Sequence, residues 1–267
     1  MKHSLLVYLE FARAAFLKIL AYRLRYFTGI VTYFINVSVY YFIWKAIYST
    51  EGKLAGYDAG QIVTYVAVGW IIRSFYFNNV DRDIATEVLE GKIALNLVKP
   101  VDTQIMYLAQ TVGESFFRVV MFTLPIAIVV TLIYPVHPPA SAKAAMQFVA
   151  SCILALVIFS LLNFVVGAFA LELHSIVGII RAKYFIVEFT SGLLIPVAFF
   201  PARLQRALAF LPFPHISYTP LQIYLGKTQG LAAWQALGAQ LLWVVILFFA
   251  GKLTWKVLTR RLSILGG

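Results

Sequence analysis

MQFVASCILALVIFSLLNFVVGAFAL, residues 146–171, contains no Asp, Glu, Lys or Arg. About 20 apolar residues suffice to cross the ~30 Å hydrocarbon core as a helix, so this stretch reads as a membrane span. Working outward, five further runs of the same kind fall at 29–48, 61–79, 116–134, 184–200 and 233–252. The run at 184–200 is the least regular, because it contains Gly192 and Pro196 and stops at Pro201. The whole chain agrees. Of its 267 residues 61% are hydrophobic and 12% charged, with a mean hydropathy of +0.85. An average soluble domain is about 45–50% apolar and about 25% charged. A 30.0 kDa globule has too little interior for that much apolar surface. A soluble enzyme, a disordered chain and a disulfide scaffold are thereby excluded, and the single Cys152 leaves no partner for an internal disulfide. The expectation is one all-α membrane domain over residues 1–267, with six transmembrane helices.

Lys and Arg number 22 against 11 Asp and Glu, a formal net charge of +11. No nucleic-acid-binding motif accompanies it, and membrane proteins gather Lys and Arg on their cytosolic loops. With both termini in the cytosol, fourteen of the 22 fall on the inner side and six on the outer. That asymmetry favours six spans with both ends inside. No cleavable signal peptide is expected, since the basic N-terminal segment lacks a short apolar core and a small-residue cleavage site. Leu5, Tyr8, Leu9, Ala12, Ala15, Phe16 and Ile19 instead share one helical face that avoids Glu10, Arg13 and Lys18. Such a helix either lies in the headgroup layer or packs on the bundle, and it is expected to end or turn near Arg23.

Between the second and third runs, residues 80–103 read VDRDIATEVLEGKIALNLVKPVDT. A short helix is expected at its start. Asp83, Glu87 and Glu90 form an acidic stripe, while Ile84 and Val88 form a separate apolar patch. Gly91 is a helix stop, and Pro100 disfavours helix at Lys99. Two faces of different character suit either docking of a partner or a solvated connecting helix. On the other side, residues 201–232 form the longest outer segment. Pro201, Pro212, Pro214 and Pro220 punctuate it, and Leu204, Leu208 and Leu211 keep helical spacing around Arg203 and Arg206. A short surface helix and a Pro-rich descent are expected, serving as a collar over a pathway or as an ordinary loop.

Catalytic chemistry is not evident. Gly226-Lys227-Thr228 ends like a phosphate loop, but the required earlier glycine is Leu221. His3, His137, His174 and His215 are scattered, so no metal cluster is expected. Charges at membrane depth are costly and point to function unless paired or snorkelled to the interface. Four qualify: Arg73, the Glu114/Arg118 pair at i, i+4, and Glu188.

The loop EVLEGKIALNLVKPVD at 87–102 and the run GLLIPVAFFPARLQRALAFLPF at 192–213, with six expected spans and an amphipathic N-terminal helix, resemble the permease subunits of type-2 ATP-binding-cassette exporters. More narrowly they are similar to bacterial half-size permeases often encoded in pairs beside a separate ATPase gene. The resemblance implies a dimer of permeases, identical or related, in the bacterial inner membrane on two ATPase subunits. ATP and Mg would bind the partner ATPase, and no cofactor would bind this chain. It further implies that residues 1–27 are the connecting helix and that the coupling helix is built from Asp83, Ile84, Glu87, Val88, Glu90 and Gly91. The segment after Phe200 would be the outer re-entrant element, and the second and fifth spans would line the path. Candidates there are Phe75, Phe77, Phe189, Pro196, Phe199 and Phe200. A polytopic membrane enzyme acting on lipids, or an ATP-independent channel or secondary transporter, remains the alternative.

Overall fold

The computed structural model describes residues 2–21, 24–49, 52–173 and 175–260. The expected helix end near Arg23, and His174, lie outside the described residues. Within them the chain is helical, with an isolated bridge between Leu54 and Tyr57 in place of any sheet. Helix α1 is Lys2–Ala21, α2 Leu24–Ile47, α3 Ala59–Tyr76, α4 Val80–Leu89 and α5 Ile93–Leu97. Helix α6, Thr103–Arg118, continues through a π-helical turn at Val119–Thr123 into α7, Leu124–Ile133. Then follow α8 Ala142–Ala168, α9 Val177–Thr190, α10 Ala202–Ala209, α11 Tyr218–Tyr224 and α12 Gly230–Thr259.

Among the described residues four helical stretches are long and apolar enough to cross a membrane: Thr28–Ile47, Thr103–Ile133, Ala142–Leu171 and Gly230–Thr259. Helix α8 is the centre of the bundle. Of its most apolar window 56% is buried, against 11% for α2 and 22% for each of the other two. It packs on α12, where Ser151 donates to Gln240 Oε1 at 2.8 Å, and on α4, α11 and α3.

The boundaries differ from the sequence reading in two places. The third span begins not at 116 but at Thr103, where the Asp102 side chain accepts from the Ile105 amide and caps α6. Hydropathy hides this because α6 is inside out: Gln104, Thr111, Ser115 and Arg118 are buried while Val112 and Phe116 are exposed. Pro125, at the start of α7, has no amide to donate and its ring crowds the Met121 carbonyl. The π-helical turn sits at that carbonyl. The run at 184–200 is not one helix. Helix α9 has 14 residues, about 21 Å at 1.5 Å per residue. It ends at Gly192, whose φ is +80. Tyr65 donates its hydroxyl to the Gly192 carbonyl at 2.5 Å, and the Tyr218 amide takes Ser191 O at 2.9 Å. Irregular backbone in a bilayer must be satisfied by protein in this way. Helix α3, with 18 residues including Gln61 and Arg73, is buried without interruption from Ile62 to Trp70.

Helix α1 packs along α6. A Cβ on Gly113 would lie 1.9 Å from the Ala12 carbonyl oxygen, so only glycine permits the approach. Tyr8, Ala12, Ala15, Phe16 and Ile19 face the bundle, whereas Leu5 and Leu9 of the expected face join Leu6 and Leu17 outside. The helix is seated on protein and still presents apolar side chains outward.

Candidate functional site

The residues between α3 and α6 build an elbow. Helix α4 places Val80, Asp81 and Ile84 inward and Arg82, Asp83, Thr86 and Leu89 outward. Its inward face meets α8 where Gly167 leaves room, since a Cβ there would stand 2.9 Å from Asp81 Cα. Gly91, at φ +71, ends the helix and turns the chain into α5. Ile84 is fully buried among Val80, Met106, Tyr107 and Phe164. In the fold it anchors the elbow to the bundle. Val88 is half-buried and packs the same way. Glu87 also turns inward. Its carboxylate accepts from the Tyr107 hydroxyl at 2.6 Å and from Asn96 Nδ2 at 2.5 Å, and Lys99 donates to Asn96 Oδ1 at 2.7 Å. Of the acidic stripe, Asp83 and Glu90 stay exposed, and Glu90 pairs with Lys92 at 2.5 Å. Asp83 lies open to solvent on one side and crowded by protein on the other. Desolvation, then the nearby Glu114 charge, pushes its pKa up to about 6, with Lys18 opposing. What the sequence reading missed is the apolar content of the exposed face: Leu89, Leu95 and Val98 are 72%, 66% and 80% exposed.

Beneath the elbow lies a buried polar network. Lys183 of α9 pairs with Asp81 of α4 and donates to Asn163 Oδ1 of α8 at 2.5 Å. Asn163 donates to Asn78 Oδ1 at 2.9 Å, and Asn78 donates to Ser160 Oγ at 3.0 Å. Asp81 and Lys183 look like loop charges in sequence. The one signal was Asn163 inside an otherwise apolar run, since a polar group there needs partners.

The four singled-out charges form two pairs. Arg73 of α3 pairs with Glu188 of α9 and donates to the Tyr33 hydroxyl at 2.9 Å. The Phe77 and Trp70 rings lie 4.7 and 5.3 Å from its guanidinium. Arg118 and Glu114 approach within 3.7 Å on α6, and Arg118 also donates to the Phe77 carbonyl. A recess of about 290 Å³ opens between these groups, lined by Arg73, Arg118, Tyr33, Phe77 and Phe122, with Gly29 and Asn79 completing it. The aromatic residues expected along a path divide. Phe77 stacks on Tyr184, Phe199 packs on Trp44 and Tyr57, Pro196 is buried, and Phe75 is half-buried. Phe189 is exposed, stacked on Phe185 and tilted against Phe200.

Long apolar helices, buried charges held in pairs and an elbow held beside the bundle define a multi-pass helical membrane protein. The chain belongs to the ABC-2 transporter family: the family model described as ABC-2 family transporter protein matches residues 34–266, leaving α1 outside the match. It is a membrane transport component of the permease type. Comparison with curated proteins gives no match.

Proposed function

We propose that the chain is the membrane-spanning subunit of an ATP-driven exporter and that a separate ATPase subunit docks on the α4–α5 elbow. The observation that supports this reading is the exposed face of Leu89, Leu95 and Val98 beside Asp83 and Glu90. Exposed apolar side chains on the elbow, outside the long apolar helices, gain nothing from water, and a partner cleft would bury them. The elbow is seated on α8 and α6 by Ile84 and Glu87, so a push on it moves the bundle as a rigid lever. Energy flows only if the ATPase binds one bundle conformation better than another.

In this reading α3 and α9 complete six spans, both termini are cytosolic, and the membrane is the bacterial inner membrane. A second protomer, identical or related, covers the exposed side of α9 carrying Phe185 and Phe189, and membrane lipids surround the rest. ATP and Mg reside in the partner. The test is co-expression with a candidate ATP-binding-cassette ATPase subunit. Leu95→Asp with Val98→Asp should abolish co-purification while the protein remains folded. Undiminished recovery of the ATPase with that double variant refutes the docking surface.

A further inference from the structure

We infer that the recess between α2, α3 and the π-helical turn is a binding site for one anionic head group. Its charge is one-sided: the guanidiniums of Arg73 and Arg118 line it, whereas their acidic partners, Glu188 and Glu114, do not. Arg118 is nine-tenths buried, and its side chain donates to the Phe77 carbonyl and approaches Glu114, which holds the guanidinium in place at the wall of the recess. The Tyr33 hydroxyl adds a polar edge, and Phe77 and Phe122 supply the apolar wall. The turn carrying Phe122 is π-helical, a geometry frequent at functional sites.

Size and surroundings narrow the occupant. The recess, at about 290 Å³, is at the small end of ligand sites, which run about 300–1,000 Å³. It takes a head group, not a whole amphiphile. On the flanking helices Val31 and Ile35 of α2, and Met121 and Leu124 after α6, are exposed apolar side chains along which an acyl chain can lie. The chemistry is therefore an anionic oxyanion group on an apolar tail, and a phospholipid of the surrounding leaflet is the favoured source over a free anion. The inference does not depend on the ATPase assignment, because binding is read on the purified chain alone.

The experiment is native mass spectrometry of the full chain in neutral detergent, with equal amounts of phosphatidylglycerol and phosphatidylcholine. Wild type should retain one phosphatidylglycerol in about tenfold preference. Arg118→Lys keeps the charge and replaces the planar guanidinium fork with a single ammonium. Gly29→Leu fills the recess, since even a Cβ at Gly29 would stand 2.8 Å from the Phe122 ring. Each should cut the preference to about twofold or less, whereas exposed Arg203→Gln should leave it intact. Displacement of the lipid by millimolar inorganic phosphate assigns the site to a soluble anion, and resistance assigns it to the lipid. Equal retention of the two lipids by wild type overturns the inference, even if neither variant folds. So does a preference unchanged in folded Arg118→Lys and Gly29→Leu.

Discussion

Removing both members of the Asp81–Lys183 pair should destabilise the bundle by clearly less than the sum of the two single losses. Asp81 and Lys183 side chains are 0% and 6% exposed, so neither charge can turn to water. In Asp81→Asn the ammonium keeps Asn163 Oδ1 and the Tyr184 ring, whose centroid lies 3.8 Å away. That cation–π contact offsets about 1–2 kcal/mol, which places the loss near the lower end of the 3–5 kcal/mol typical of a broken buried pair, about 3 kcal/mol. In Lys183→Met the Asp81 carboxylate retains the Arg82 amide at 2.9 Å but loses its cation, and the loss should be about 4–5 kcal/mol. In the double variant no charge is stranded. Its loss should fall short of the summed single losses by about 2–3 kcal/mol, the coupling expected of residues in one network. The assay is a double-mutant cycle by denaturant unfolding in mixed micelles. Additive losses would show that the pair is not a coupled, desolvated unit and would refute the reasoning.

Three further outcomes are expected. Asp83 has a folded-state pKa above its ordinary value, so the folded chain binds more protons than the unfolded one between about pH 4 and 6 and loses stability as pH rises through that window. Asp83→Asn should raise the unfolding midpoint at pH 7 and leave it nearly unchanged at pH 4, a difference read by thermal scans at both values. Gly113→Ala forces a Cβ against the Ala12 carbonyl and should cost about 1–3 kcal/mol, with faster proteolysis of α1 as the structural readout. Tyr107→Phe removes one of the two hydrogen bonds on Glu87 and should cost about 1–3 kcal/mol in unfolding free energy, through the elbow and not through the apolar core.

Four long apolar helices were legible because uninterrupted apolarity has one cheap solution in lipid, whereas the run expected at 184–200 divides at Gly192. Gly91 and the irregularity at Gly192 and Pro196 were legible as well, since backbone constraints are local. What was not legible was direction. Helix α4 offers Val80, Ile84, Val88 and Leu89 beside three acids, and only α8, with its Gly167 notch, decides that Ile84 goes in and Leu89 stays out. Helix α6 was cut short because a hydropathy window penalises Gln104 and Glu114 without knowing they face protein. Gln104, for one, donates to the Phe248 carbonyl at 3.1 Å. Arg73 and Glu188 were each visible as costly charges, but their pairing spans more than a hundred residues of sequence and two helices whose neighbourhood only the fold sets.

The central claim, that a fuel-supplying subunit sits on the α4–α5 elbow, is tested most directly by site-directed cross-linking. Cys152 is buried and can be replaced by Ser, leaving single cysteines at Leu95 on α5 and at Phe210 after α10, both exposed. They mark opposite ends of α3: the elbow follows its C-terminus, and α10 follows the turn whose Phe199 meets Tyr57 just before its N-terminus. With the co-expressed ATPase, Leu95→Cys should form a cross-link and Phe210→Cys should not. A cross-link at Phe210→Cys with none at Leu95→Cys would contradict the account.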